Sequence, residues 1–323
     1  MERVAFGFVR WLVSEGHTVD VWSNSFVDVG PEVCHRPLGA GGRGVMWKAR
    51  SLATAVSAVP VDGCDAFLHF ERGAQSGAYR AGAGCAAAQA QQEGRDISWP
   101  LIKAIDLASC RSASPLIVNS EMVLEQMRHH YGVGAERVRL VRNGVDTTRF
   151  KPGPKAEKPT IVFVGSNPRR KGLKTALSAL RRMPGVHLEV VGNVGRRGPR
   201  WAAQLGVSKR VHFYGTLDHP EVVMSRAHAM ILPTRYDASA NACLEAMACG
   251  VPVVTTRFNG ASELLPESWM VVADAADSDR CAEVLKTAMM DRDLPEACRR
   301  IAEAHTQERA YAALLDAITQ GAA

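Results

Sequence analysis

The sequence has no C-x-x-C pair, although it carries eight cysteines, at positions 34, 64, 85, 110, 243, 249, 281 and 298. No His or Cys group has metal-ligand spacing, and the scatter fits small buried thiols in a reducing compartment. No run of 18 apolar residues occurs, which excludes a spanning helix. The opening MERVAFGFVRWL sets Glu2 and Arg10 too close to its apolar residues for a signal peptide, so the expected location is cytoplasmic. A D-x-D metal motif is missing from loop positions. Asp291-Arg292-Asp293 has the spacing but lies between C-terminal helices and reads as a solvated turn. Aromatic residues are scarce where positive charge is dense. From Gly165 to Arg210 there are 11 basic residues and one acid, Glu189, but only Trp201 could stack on a base. A nucleic-acid surface is therefore disfavoured, and a ligand bearing a diphosphate explains the charge more economically.

What is present fits two domains. A chain of 323 residues allows two units of ~150 residues. Residues 1–150 carry 16 basic and 15 acidic side chains, whereas residues 151–323 carry 23 and 18, so most of the net charge of +6 sits in the second half.

The stretch Pro233–Thr256, PTRYDASANACLEAMACGVPVVTT, reads as loop, helix and buried strand. Pro233 to Ala240 is small and polar. Asn241 to Cys249 holds strong helix formers closed by Gly250, and Val251 to Thr255 is apolar and β-branched. Asp237 and Glu245 frame the unit. Were the chain between them helical, they would lie ~12 Å apart, too far to share a proton and wider than a glycosidase pair. One long ligand with a carboxylate at each end fits better, with the free N–H groups near Ala240 as an anion site between them.

This stretch resembles the E-x7-E signature of retaining family 4 glycosyltransferases, in particular the variant RYDPxxNxxLEAxACGxPVxTT of bacterial lipopolysaccharide core glucosyltransferases. The resemblance implies that Asp237 orients the donor sugar, that Glu245 holds the ribose hydroxyls, and that the backbone around Ala240 and Asn241 meets sugar and diphosphate. Thr160 to Gly165 reads as a strand, followed by SNPRRKG and a helix with Leu173, Ala176, Leu177 and Leu180 on one face. Strand, glycine, basic loop and helix make an anion site. Lys171 falls on the family's usual lysine, 66 positions ahead of Asp237. Ser166 stands where the other cation often sits, so Arg170 or Arg169 must substitute, and Arg170 is the choice. Gly192 and Gly215 end two further strands, and Asn259 and Gly260 follow in a loop expected to line the donor site. The implied fold is α/β of the GT-B type, with two Rossmann-like, doubly wound parallel-sheet domains facing across a cleft. The expected divisions are 1–150, acceptor-side; 151–305, donor-nucleotide-binding; and 306–323, a last helix crossing back to the first domain.

The implied reaction moves a hexose, glucose by preference, from a UDP-sugar to a glycan such as a lipopolysaccharide core, with retention, no cofactor and no metal. Contact with the anionic inner leaflet is part of the same implication, and Arg36, Arg43, Lys48 and Arg50 read either as its basic residues or as a solvated helix face.

The first half departs from the pattern. Val4, Phe8, Trp11 and Leu12 open the chain as an amphipathic helix, and Thr18 to Trp22 alternates as a strand. Relatives begin one strand and one glycine-rich loop earlier, so a start set too late, or a truncated copy, is the expectation, with two strand edges left open. Pro31 to Arg43 reads as a loop, Val45 to Ala58 as a helix and Asp65 to Phe70 as a strand. In FERGAQSGAYRAGAGC, Ala83 stands where relatives carry an acid, leaving Glu71, Arg72 and Arg80 as polar candidates on the acceptor side. A nucleotide-sugar-binding protein without turnover is thus the alternative. Ile97 to Ala113 and Glu121 to His130 read as helices, the second capped by Ser120. Pro152, Gly153, Pro154 and Pro159 read as an interdomain linker, and Leu294 to Thr319 as one amphipathic helix.

Overall fold

A computed structural model describes residues 2–24, 30, 32–94 and 97–320. The chain divides into two compact units, Met1–Arg142 with Glu308–Ala323, and Asn143–Gln307.

Unit 1 opens with α1 (Glu2–Ser14), β1 (Val19–Ser23), β2 (Val33–Pro37) and α2 (Val45–Ser57). It continues through β3 (Leu68–His69), β4 (Ala78–Arg80), α3 (Ala86–Glu93) and α4 (Trp99–Ser112). Then come β5 (Leu116–Val118), α5 (Glu121–Tyr131) and β6 (Val138–Leu140). β1 and β2 pair in parallel, and β3-β4-β5-β6 form a separate parallel sheet. Among the described residues no ladder joins the two. β2 corrects the expected loop: Val33 to Pro37 pairs along all of β1, with Ser23 Oγ 3.0 Å from His35 Nε2. Its flanking Gly and Pro residues hid the strand, and Pro31 lies outside the described residues. The apolar stripe of α1 behaves as read, with Phe8 buried against Tyr311 at 5.8 Å between ring centroids. Ser120 caps α5, accepting from Val123 N at 3.2 Å.

Unit 2 alternates β7 (Thr160–Val164), α6 (Leu173–Arg181), β8 (His187–Val191), α7 (Arg197–Gln204), β9 (Val211–Gly215) and the single turn α8 (Glu221–Met224). β10 (Ala229–Leu232), α9 (Asn241–Ala248), β11 (Val253–Thr256), β12 (Val271–Val272), α10 (Ser278–Met290) and α11 (Leu294–Ala304) follow. Its six strands are all parallel, in the order β12-β11-β10-β7-β8-β9. β7, β10 and β11 are buried along nearly their whole length, as continuous apolar strands under helices on both faces must be. The stretch from Pro152 to Pro159 is strapped to this unit. Lys155 Nζ donates to the carbonyls of Ala227 (2.8 Å), Ser225 (3.3 Å) and Gly250 (3.4 Å).

The expected helix Leu294–Thr319 is two helices, α11 and α12 (Gln307–Thr319). At the break the backbone of His305 and Gln307 bonds to Val145 instead of continuing one helix. Val145 N donates to His305 O at 3.0 Å, and Gln307 N donates to Val145 O at 3.1 Å. α12 from Glu308 onward belongs to unit 1, where Leu314, Ala317 and Ile318 join the cluster around Phe8.

Candidate functional site

Three neighbouring strands of unit 2 end in glycine at one edge of the sheet. Gly165 N donates to Val191 O at 2.9 Å, and Gly192 N to Gly215 O at 2.7 Å. Gly192 has φ +120°, and a Cβ there would lie 2.5 Å from the Gly165 carbonyl oxygen, so only glycine lets these ends approach. This is the C-terminal edge of a parallel sheet, where open α/β folds place ligands.

The loop from Ser166 to Gly172 folds over that edge. Asn167 adopts a left-handed φ of +62° and receives Arg170 N on its Oδ1 (3.2 Å) and Lys171 N on its carbonyl (3.0 Å). Lys171 lies across Gly165, whose missing side chain makes room for its stem. Gly172, at φ +78°, sits so close to Pro233 that a Cβ would overlap the Pro233 carbonyl oxygen. The Arg170 carbonyl accepts from Arg235 N (2.8 Å) and Thr234 Oγ1 (3.0 Å). The basic loop and the loop after β10 are therefore interlocked.

Asp237 is where they meet. Lys171 Nζ donates to Asp237 Oδ2 at 2.6 Å, and Arg170 Nη1 lies 3.4 Å from the same oxygen and 3.2 Å from the Tyr236 carbonyl. The Lys171 and Asp237 side chains are only 14% and 13% exposed, so this pair is screened less than a surface pair. Two cations face one carboxylate, and the excess positive charge remains for an anion. Ser166 is exposed beside them.

Residues 237–240 are not helical, so a helical spacing between Asp237 and Glu245 does not apply; Asp237 instead bridges to Asn259. Glu245 is partly exposed on α9. Asn259 is wholly buried. Its Oδ1 accepts from Ala240 N (3.1 Å) and Ala261 N (3.2 Å), and its Nδ2 donates to Thr255 Oγ1 (3.0 Å) and Cys243 Sγ (3.3 Å). It is a strut beneath the loop. Burial pushes the Cys243 thiol up to about 12, which keeps it protonated at neutral pH. From the other side Asn143 Nδ2 donates to Asn241 Oδ1 (2.6 Å) and Ser239 O (3.1 Å).

In unit 1, Arg72 Nε donates to Asp106 Oδ1 at 2.6 Å, and Asp106 Oδ2 accepts from Ala86 N and Tyr131 Oη, each at 2.8 Å. Asp106 is fully buried. Burial works to lower the Arg72 guanidinium, but Tyr79 and Asp106 outweigh it and hold Arg72 above its ordinary value. Arg80 is 3% exposed, with Nη2 3.5 Å from Val141 O, and burial brings its guanidinium down to about 10. Glu71 and Ala83 are partly exposed in the flanking loops. The structure thus gathers Arg170, Lys171 and Asp237 at one point, while Arg72 and Arg80 are engaged inside unit 1.

The family description "Glycosyl transferases group 1" matches residues 144–305, and "Glycosyltransferase Family 4" matches residues 79–149. The chain belongs to the group 1 glycosyl transferases. A glycogen synthase of Mycobacterium tuberculosis is 28% identical over 220 residues, 64% of this chain and 52% of that one. The chain spans about half the length of the curated relatives it matches. Among solved structures, WaaG, a glycosyltransferase involved in lipopolysaccharide biosynthesis, superimposes with a TM-score of 0.82 at 22% identity, covering 98% of this chain and 96% of its own. HepE of Anabaena in complex with UDP and glucose gives 0.75 at 15% identity, covering 99% and 95%. These likenesses are of fold, and the fold is GT-B, with parallel sheets in two α/β domains.

Sequence reasoning missed two residues of this glycosyl transferase, Asp106 and Asn143. Asp106 had a signal, being the one carboxylate on the buried stripe of α4 with Ser109 and Cys110. Asn143 had none, because its partners lie on a distant loop, and Asn259, expected to line the site, is buried beneath it. Among the described residues no helix is long and apolar enough to cross a membrane, and no group of three His, Cys, Asp or Glu could hold a metal.

Proposed function

We propose that this chain is a retaining hexosyltransferase taking glucose from a UDP-sugar to a glycan acceptor such as a lipopolysaccharide core. The observation that carries the reading is the convergence of Lys171 and Arg170 on Asp237 at the glycine-lined strand edge. In this reading Asp237 holds both cations in place until the donor arrives. The diphosphate then draws on their positive charge, and Asp237 turns to the sugar hydroxyls. Lys171 and Arg170 stabilise the charge that builds on the leaving diphosphate as the bond to the anomeric carbon breaks, without a cofactor or metal. Gly165, Ser166 and Gly192 bring backbone close to the phosphates. Ala240 and Asn241 start α9, which has no side-chain cap, and Glu245 takes the ribose. Asn259 supports that helix start from below. HepE with UDP and glucose supports a nucleotide-sugar donor, and WaaG a glycan acceptor.

The acceptor side is assigned to Glu71 and the loop around Ala83, with Arg72 and Arg80 shaping it from within. Peripheral contact with an anionic leaflet would use α2, where Val45, Met46 and Trp47 are exposed beside Lys48. Cosedimentation with vesicles containing anionic lipid tests that contact.

Titration calorimetry of the full chain with UDP and UDP-glucose tests the donor site. Binding that Glu245→Ala abolishes is the expected result, and absence of binding to either overturns the reading. Ala83 favours a second reading, nucleotide-sugar binding without turnover, because alanine can neither accept nor donate a proton there. Donor binding with no hydrolysis and no transfer to any acceptor glycan would establish it.

A further inference from the structure

The chain enters unit 2 at Asn143 and leaves it at Gln307, and the two passages are joined backbone to backbone through Val145, His305 and Gln307. At Gly144 a Cβ would overlap the Thr306 carbonyl oxygen, so the passages touch without side chains between them. Asn143, one residue earlier, is 9% exposed. Its amide nitrogen has two hydrogens and two acceptors, Asn241 Oδ1 at 2.6 Å and Ser239 O at 3.1 Å. Both acceptors lie between Asp237 and Glu245.

Two consequences follow from this geometry. The Ser239–Asn241 turn is clamped from one side by Asn143 and from the other by Asn259, which accepts from Ala240 N. The Asn241 side chain is also fixed in orientation. Its oxygen faces Asn143, so its own NH₂ is turned away from Asn143, at the uncapped start of α9.

We infer that Asn143 is a positioning residue for the donor. It sets the Ser239–Asn241 turn and the Asn241 amide for the nucleotide diphosphate, and it ties the point where the chain enters unit 2 to occupancy of that site. The inference rests on the donor reading above. It adds a residue 98 positions away from the one it orients.

The test is calorimetry of UDP binding on the full chain, comparing Asn143→Ala, Asn143→Asp, Asn241→Ala and the double variant Asn143→Ala/Asn241→Ala. Asn143→Asp keeps the volume of the buried side chain, so it reports on the hydrogen bonds should the alanine variant fail to fold. Loss of the two donors weakens UDP about tenfold in Asn143→Ala, and Asn143→Asp is at least as weak because its carboxylate faces two acceptor oxygens. In the Asn241→Ala background the second substitution weakens UDP by well under about tenfold, since only the bond to Ser239 O is left to lose. A purely structural role would not give that dependence. UDP binding unchanged in both Asn143 variants, or losses that multiply in the double variant, overturn the inference while leaving the donor reading intact. No UDP binding by the unsubstituted chain overturns the donor reading and the inference together.

Discussion

In unit 2 the strands β7, β8 and β9 end in glycines with Lys171, Arg170 and Asp237 gathered over them. In unit 1 the strands β3 and β4 end in His69 and Arg80, and Asn119 follows β5; the three are 6%, 3% and 3% exposed. The same parallel-sheet edge is thus used in two ways. Small residues in unit 2 leave backbone and charge open at the edge. Large polar residues in unit 1 fold back into the unit, and the Arg72–Asp106–Tyr131 network consumes the charge beside them. Glycines that finish the strands leave backbone open to a ligand, whereas large polar residues that finish them turn the edge inward.

The sharpest way to break this contrast is Asp106→Ala. Arg72, Tyr131 and Ala86 N would lose their common acceptor, and removing one partner of a buried pair costs about 3–5 kcal/mol. Hydrogen exchange should show the loss across residues 71–131 with unit 2 unchanged. Equal loss in both units would mean that the network is not private to unit 1.

Lys171→Ala is the counterpart in unit 2. Removing a charge-assisted contact should weaken UDP about 100-fold. Melting temperature should move little, because Arg170 still partners Asp237. A large drop in melting temperature with unchanged UDP affinity would make the cation a structural element like Arg72.

Ser120→Ala should destabilise unit 1 by about 1 kcal/mol through loss of the α5 cap, read from denaturant unfolding. No cap of this kind begins α9, so Ala240→Ser is the matched experiment in unit 2.

The smallest expected effect concerns acid. Burial holds His69 below the ordinary histidine value of 6.5, against its hydrogen bond to Glu71 O, so the fold favours the neutral ring. The unfolded chain takes up the proton first, and the stability present above pH 6.5 is lost as pH falls through the folded value. Melting of unit 1 between pH 7.5 and 5 should show this acid limb, and His69→Phe should flatten it.

Unit 2 was readable because each signal was local. β7 and β10 are apolar runs of four or five residues, α6 repeats its leucines on one face, and the strand-end glycines announce themselves. Unit 1 was less readable because its sheet strands β3 to β6 are two or three residues long, too short for a period to show. In the site, the charges of Arg170, Lys171 and Asp237 could be read as one cluster, but not the interlock of their loops. That interlock depends on Gly172 against Pro233 and on a threonine hydroxyl meeting a carbonyl 64 residues away. Asn259 was read as part of the site and is its foundation, a distinction of burial that no residue type discloses.

Because Val145 and Thr306 lie side by side, the polypeptide begins and finishes its course through unit 2 at one place. A segment whose ends meet is a cassette. It can be cut out, closed with a short join or exchanged for the equivalent piece of another chain without rethreading what remains. The borders of that cassette, Asn143 and Gln307, fall within two residues of the 144–305 segment shared across the family. The segment matched by the family and the unit of folding are here very nearly the same stretch of chain, and recombination at those borders is a direct route to exchanging it whole.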